Sequence, residues 1–276
     1  MILTSHVGVG IVGAEGVQAA NASDYSIGRF RFLRRLLLVH GRWNYNRMSK
    51  LIPYMFYKNI TYAMAQYWFS ILFAAWSGQK FFLEMANITV DVVYTGLPIL
   101  LLAIFDQDVN ATSAVRFPYL YIDGVRRTRL TSKIFWAWIA SAYLDSALLF
   151  FVPMQATAFF DEDGATLHVF DLGSVTFTAY VVVVTLRVAL ETNLHDYRYQ
   201  IILVLSVLLW VPASFVIDAL DGDGIRGRIR FLWASPQLWF TVLLVASITG
   251  LYVGFHKVYR RYFRPEYRDL VQELQI

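Results

Sequence analysis

The sequence predicts an all-α polytopic membrane protein, a six-helix transmembrane bundle, from its composition and from six long apolar segments. With 57% hydrophobic and 16% charged residues and a mean hydropathy of +0.47, the chain carries more apolar surface than one water-soluble core can bury. The segments are 51–76, 85–105, 134–160, 175–190, 201–217 and 238–255. Crossing the hydrocarbon core takes about 20 helical residues, fewer with snorkelling flanks. The fourth segment is the weakest, because Arg187 and Glu191 lie at its end, at a spacing that allows an ion pair.

The distribution of charge predicts an orientation with both termini in the cytoplasm. Lysine and arginine cluster in 29–50, 116–133 and 257–268, whereas 161–171 contains acidic residues and neither lysine nor arginine. The arginines of 226–230 fall on the outer side beside Asp221 and Asp223, and we interpret this loop as locally neutralised. Because the basic residues lie next to apolar segments, the net charge of +4 indicates membrane headgroups and not nucleic acid as the partner.

Charged and polar residues inside the predicted spans are the candidate functional residues, because burying them in a bilayer is costly. Lys58 lies about two turns into the first span, where it could contact a substrate or ion, or snorkel to the inner headgroups. Asp91 and Thr95 in the second span share a helical face, and Pro98 removes a backbone hydrogen bond just beyond them. This pattern indicates either a transport pathway or a structural bend with Asp91 near the outer interface.

Motifs for catalysis and metal binding are absent from the sequence, so we predict no catalytic residue and no metal ligand. It contains no nucleophile elbow, phosphate-binding P-loop or His-Glu-x-x-His motif. The absence of cysteine excludes disulfides and thiolate sites. Residues 8–13 match G-x-G-x-x-G, but no βαβ unit follows, and we interpret the match as accidental.

The segment before the first span predicts short mixed structure followed by a basic helix. Residues 7–11 are typical of a short buried strand, and 15–22 of a loop that leads into a helix of small residues. A flexible glycine-rich leader is the alternative. Residues 29–47 alternate basic and apolar side chains, which favours an amphipathic helix at the cytoplasmic surface or the entry into the first span.

Several short strings, taken in order, resemble the C-terminal part of a type IV P-type ATPase, a phospholipid flippase. The strings are HVGVGI (6–11), GAEGVQA (13–19), ASDYSI (22–27), RLLLVHGRW (35–43), FYKN (56–59), SGQ (77–79), TGLP (95–98), FDQDV (105–109) and PYLY (118–121). The resemblance is strong over 6–121 and rests mostly on hydropathy beyond that. It implies that the spans correspond to the fifth to tenth membrane helices of that family.

The resemblance also implies a domain organisation and a lipid pathway. Residues 1–28 would be a remnant of an α/β phosphorylation domain, 29–50 a basic cytoplasmic linker, 51–256 the six-span membrane domain and 257–276 a basic cytoplasmic tail. Lys58 and Asn59 match the lipid-pathway motif, with Asp91 and Thr95 on the next helix. Asp91 stands where the family usually has asparagine, and Gly96 where it usually has serine, which leaves the headgroup preference open.

ATP and Mg²⁺ are the cofactors that the resemblance implies for a complete enzyme, but no residues for them are recognisable in this chain. The D-K-T-G phosphorylation motif, the nucleotide-binding domain and the first four membrane helices are missing from the sequence. We therefore expect a truncated chain without ATPase activity of its own. Phospholipid is the expected substrate, and the missing N-terminal half or a flippase accessory subunit are the expected protein partners.

Two alternative functions follow from the same residues. The chain could be a non-catalytic membrane fragment that acts by association with other flippase chains. It could also be an independent six-span channel or carrier, which Lys58 and Asp91 favour and the lack of an internal repeat disfavours.

Overall fold

The computed structural model describes residues 4–13, 17–157, 169–193, 196–220 and 227–275, and most of them are helical. This confirms the all-α prediction. The helices are α1 (Gln18–Asn21), α2 (Phe32–Arg35), α3 (Arg42–Leu72), α4 (Glu84–Thr89), α5 (Gly96–Phe105), α6 (Ala111–Arg116), α7 (Ile122–Val125), α8 (Ser132–Thr157), α9 (Val169–Glu191), α10 (Tyr197–Leu208), α11 (Trp210–Leu220), α12 (Arg228–Ala234), α13 (Pro236–Phe263) and α14 (Tyr267–Glu273). Leu36–Gly41 and Val90–Tyr94 form π-helical turns, and Pro118–Tyr121 forms a 3₁₀ turn.

Five helical segments of the described chain are long and apolar enough to cross a membrane, so the chain is an integral membrane protein. They are Glu84–Phe105, Ser132–Ala156, Val169–Glu191, Tyr197–Leu220 and Pro236–Phe263. These five overlap the second to sixth predicted segments. Helix α3 contains most of the first predicted segment and is long enough at 31 residues, but its tyrosines and Lys58 make it less apolar. Its membrane span therefore stays a prediction.

The residues of two predicted outer loops lie outside the described part of the chain. These are Asp161, Glu162 and Asp163 in one loop, and Asp221, Asp223 and Arg226 in the other. Asp171, which we expected in the first of these loops, instead lies in α9 and is buried. Its carboxylate pairs with the Arg228 guanidinium at 2.5 Å, so at least one arginine of the second loop has an acidic partner.

The chain divides into two compact units, of which the second, Arg47–Asp106 with Leu130–Pro265, contains all five membrane helices. Its central helix is α9, which packs against α13, α8, α10, α5 and α12 and is buried along most of its length. Small and β-branched side chains let neighbouring helices approach α9 closely. The closest approach is at Gly173, where an added Cβ would lie 2.0 Å from the Phe81 carbonyl oxygen.

Asp106, the residue directly after α5, forms hydrogen bonds that connect three helices of this unit. Its carboxylate accepts hydrogen bonds from Lys50 Nζ at 2.8 Å and from the Asn193 backbone N–H at 2.8 Å, and its carbonyl accepts one from Arg47 Nε at 2.7 Å. Lys50 also donates to the Glu191 carbonyl at 2.9 Å. These bonds fasten the ends of α5 and α9 to α3.

The first unit, Met1–Asn46 with Gln107–Arg129 and Glu266–Ile276, holds the small sheet. Strands β1 (Val9–Ile11) and β2 (Tyr25–Ile27) pair in parallel, with α1 between them in sequence. The predicted strand is therefore present but shorter than 7–11. The strand is only partly buried: Gly10 is buried and Val9 half-buried, whereas the side chain of Ile11 is exposed.

A buried ion pair organises the rest of the first unit. Arg42 donates two hydrogen bonds to the Asp108 carboxylate, at 2.9 and 2.6 Å, and Asn46 Nδ2 donates a third at 3.1 Å. Burial acts to raise the pKa of Asp108, but the charge and hydrogen bonds of Arg42 outweigh it and hold that pKa below its ordinary value. Helix α14 packs here, with Val271 against Val109 and Leu120 and with Gln272 donating to the Asp108 carbonyl at 2.8 Å.

Candidate functional site

Three of the four predicted pathway residues meet in the second unit. The Lys58 ammonium lies 2.6 Å from Asp91 Oδ1 and donates to Thr95 Oγ1 at 3.1 Å. The Lys58 side chain is 2% exposed, whereas that of Asp91 is 63% exposed. The ammonium is thus held inside the unit by Asp91 and Thr95. Asn59, the fourth predicted residue, is exposed and forms no part of this cluster, because adjacent helical positions point in different directions.

The helix that carries Asp91 departs from regular α-helical geometry next to this site. Between α4 and α5 it forms the π-helical turn Val90–Tyr94, and both the backbone N–H and the hydroxyl of Thr95 donate to the Val90 carbonyl, at 3.2 and 2.9 Å. An added Cβ on Gly96 would lie 2.9 Å from the Asp91 carbonyl oxygen. Glycine therefore allows this turn to close. Single π-helical turns of this kind often occur at functional sites.

Pro98 extends the irregular backbone, and a neighbouring helix compensates for it. Because proline has no N–H, it cannot donate to the carbonyl four residues earlier, that of Tyr94. The hydroxyl of Ser206 in α10 donates to this carbonyl at 2.7 Å. A carbonyl left unpaired within a membrane helix would be costly, and Ser206 removes that cost. Sequence reasoning predicted the effect of Pro98 but missed Ser206, which lies more than 100 residues away.

Aromatic residues surround the inner side of the Lys58 cluster. Tyr180 donates to the Lys58 carbonyl at 3.3 Å and packs against Tyr62 with ring centroids 5.2 Å apart. Tyr62, one turn after Lys58, stacks on Phe82 at 4.6 Å. Its hydroxyl is buried and has no hydrogen-bond partner among the residues that the structure describes.

A second buried polar cluster fixes the neighbouring turn of α3. Asp145 in α8 accepts hydrogen bonds from Tyr57 at 2.5 Å, from Tyr252 at 3.1 Å and from Thr249 at 3.2 Å. The Arg187 guanidinium covers the Tyr57 ring at 5.1 Å. The sequence alone does not indicate this cluster, since Tyr57, Tyr252 and Thr249 are all far from Asp145 in the chain. Because Tyr57 precedes Lys58, this cluster sets the rotation of α3 and so the direction of Lys58.

Arg187 also tests the prediction made for the weakest span. Its Nε lies 3.8 Å from Glu191 Oε1, which confirms the expected ion pair. The guanidinium also lies 4.5 Å from the centre of the Trp138 ring, a cation–π contact that the sequence did not indicate. The ion pair and the cation–π contact stabilise the charged residues at the end of this span.

The described residues do not fit a nucleotide-linked metal ion. No group of three or more histidine or acidic side chains among them could hold a metal. Asp106 and Asp108, the acidic pair of FDQDV, are engaged by Lys50 and Arg42.

Comparison with known proteins finds a matching family and relatives that align with the whole chain. Residues 20–266 match a family model described as the C-terminal part of phospholipid-translocating P-type ATPases. The chain is 34% identical over its whole length to phospholipid-transporting ATPase ID of Mus musculus and 37% identical to phospholipid-transporting ATPase C887.12 of Schizosaccharomyces pombe. It spans 24% and 22% of the lengths of these relatives. The chain thus belongs to the phospholipid-translocating P-type ATPase family, matching its C-terminal part.

Proposed function

We propose that this chain supplies the membrane portion of an ATP-driven flippase that moves phospholipid from the outer to the cytoplasmic leaflet. The printed names of its relatives, phospholipid-transporting ATPases, support the substrate and the energy source. The site at which the headgroup binds is the cluster of Lys58, Asp91 and Thr95, with Asn59 on the adjoining surface of α3.

The observation that carries this proposal is an ion pair in which the lysine is buried and the carboxylate is exposed. Ionisable residues in membrane helices cost free energy and persist where they face a partner or a pathway. Lys58 has its partners inside the unit, but the carboxylate of Asp91 reaches the surface. A purely structural ion pair would be expected to enclose both charges, because an exposed carboxylate in an apolar surrounding is costly. The open side is where a polar headgroup would lower that cost.

Within this site the residues of the chain bind and orient the headgroup. Lys58 and Thr95 hold Asp91 in place, the π-helical turn opens the backbone, and Tyr57 with Asp145 fixes the rotation of α3. ATP supplies the energy in the complete enzyme. Binding part-way across the membrane divides the movement of the headgroup into two shorter steps.

The orientation and the partners belong to the same proposal. Both termini are cytoplasmic by the positive-inside rule, with 1–28 from a phosphorylation domain, 29–50 as a linker, 51–256 in the membrane and 257–276 as a tail. The protein partners are an N-terminal half that carries the catalytic domains and a flippase accessory subunit.

Replacing Lys58 with alanine is expected to weaken headgroup binding at this site. Without the ammonium, Asp91 loses its counter-charge and one anchor. A lost hydrogen bond to a charged group is worth about 1.5–3 kcal/mol, or about 10- to 150-fold in binding. We would reconstitute the chain in nanodiscs with equal amounts of photoactivatable phosphatidylcholine, phosphatidylethanolamine and phosphatidylserine. The labelling of α3 and α4 peptides would then be measured by mass spectrometry.

The matched control is Lys80→Ala. Lys80 pairs with Glu84 at 2.9 Å on the surface, so this variant also removes a lysine from an ion pair but leaves the site intact. The proposal expects labelling to fall in Lys58→Ala and to persist in Lys80→Ala. Equal labelling of both variants would overturn it, and ion flux without lipid labelling would favour a channel instead.

A further inference from the structure

We propose that Asp91 makes this site selective for zwitterionic phospholipids, whose headgroup ends in an ammonium group, over anionic phospholipids. The inference rests on the proposed function, since it assigns a headgroup class to the same site. It goes further by naming Asp91 as the residue that determines specificity.

The two charged side chains of the pair differ in their exposure. The Lys58 side chain is 2% exposed, and its ammonium is occupied by Asp91 Oδ1 and Thr95 Oγ1. The Asp91 side chain is 63% exposed. A headgroup that approaches from the open side therefore meets a carboxylate first. Lys58 lies behind it and compensates its charge without facing the ligand.

The sign of the exposed group decides which part of a headgroup it attracts. In surroundings of low dielectric constant the attraction between unlike charges is strong, and so is the repulsion between like charges. The ammonium of choline or ethanolamine would pair with Asp91, whereas the extra carboxylate of serine would be repelled by it.

The backbone keeps Asp91 in this position. The π-helical turn Val90–Tyr94 and the two bonds of Thr95 to the Val90 carbonyl fix the turn that carries it. Gly96 allows the Asp91 carbonyl to approach closely. The carboxylate is thus fixed before a ligand arrives, which lowers the entropy cost of binding.

Exchanging Asp91 for asparagine changes the net charge of the pair with Lys58 from zero to positive. The amide can still accept a hydrogen bond from Lys58, but the positive charge of the ammonium is no longer compensated. The variant should therefore prefer phosphate and carboxylate groups. Asp91→Glu keeps the charge and should keep the preference, so it separates the effect of charge from that of a disturbed fold.

The experiment measures competitive photolabelling of the chain in nanodiscs that contain photoactivatable phosphatidylcholine and phosphatidylserine in equal amounts. We expect the wild type to label with phosphatidylcholine about tenfold more than with phosphatidylserine, a ratio that corresponds to about 1.4 kcal/mol. Asp91→Asn should lower this ratio at least to parity. Glu84 lies on the same helical segment as Asp91, and its exposed carboxylate pairs with Lys80. Glu84→Gln neutralises this carboxylate and should leave the labelling ratio unchanged.

The outcomes separate this inference from the proposed function. If Lys58→Ala reduces total labelling but Asp91→Asn keeps the ratio of the wild type, the site binds lipid and the inference on headgroup class is wrong. A wild type that prefers phosphatidylserine would also overturn it. If Lys58→Ala leaves total labelling unchanged, the proposed function itself fails.

Discussion

Replacing Gly173 with alanine is expected to destabilise the membrane unit more than the same change at any other glycine that the structure describes there. The new Cβ would lie 2.0 Å from the Phe81 carbonyl oxygen and within 4 Å of the Phe82 backbone, so α9 and the segment before α4 must separate. Overpacking against side chains typically costs about 1–3 kcal/mol, and here the obstacle is backbone, which cannot change rotamer. We expect a cost at or above this range, measured as a lower thermal unfolding midpoint of the purified chain in detergent.

Gly254→Ala is the matched control for this prediction. Gly254 also lies in a membrane helix, α13, but an added Cβ there has no atom within 4 Å. Because alanine favours helix over glycine by about 1 kcal/mol, this variant should be as stable as the wild type or slightly more stable. An unfolding midpoint for Gly173→Ala equal to that of Gly254→Ala would show that α9 does not pack against Phe81 as described.

Replacing Arg42 with alanine is expected to unfold the first unit locally. The change leaves the Asp108 carboxylate buried without its guanidinium, and breaking a buried pair from one side costs about 3–5 kcal/mol. Helix α14 should be released as well, since Gln272 binds the backbone of Asp108. Hydrogen exchange measured by mass spectrometry should show faster exchange in 107–125 and 267–273.

Two further variants test whether the cost arises from the unpaired charge. Arg34→Ala removes an exposed arginine that donates to the Val115 carbonyl, and should change exchange little. Arg42→Met combined with Asp108→Leu removes both charges, and such paired replacements are often neutral or stabilising. If the double variant is as unstable as Arg42→Ala, the loss comes from packing and not from the charge.

The parts of the structure that were predicted correctly rest on local patterns. Five membrane helices follow from runs of apolar residues, because the length of a span is set by the thickness of the bilayer. Lys58, Asp91 and Thr95 were selected because each is costly in a membrane, and the structure places them together. The pair formed by Arg187 and Glu191 follows from their helical spacing.

The parts that were missed depend on contacts between distant positions. Asp106 and Asp108 stand in a recognisable motif, but their partners Lys50 and Arg42 lie more than 50 residues away. Ser206 satisfies a carbonyl that proline leaves free on another helix. A glycine at which two backbone segments lie close together cannot be distinguished from other glycines in a single sequence.

The most direct test of the account is transport by a chimera in which this chain replaces the matching C-terminal segment of the mouse relative. Mus musculus phospholipid-transporting ATPase ID aligns with the whole chain at 34% identity. ATP-dependent uptake of fluorescent phosphatidylcholine would be measured in cells. The account predicts uptake with the wild-type chain and Lys80→Ala, and loss of about tenfold or more with Lys58→Ala, the effect of about 1.4 kcal/mol or more on the rate. Undiminished uptake with Lys58→Ala, in a chimera present at the same level in the membrane, would contradict it.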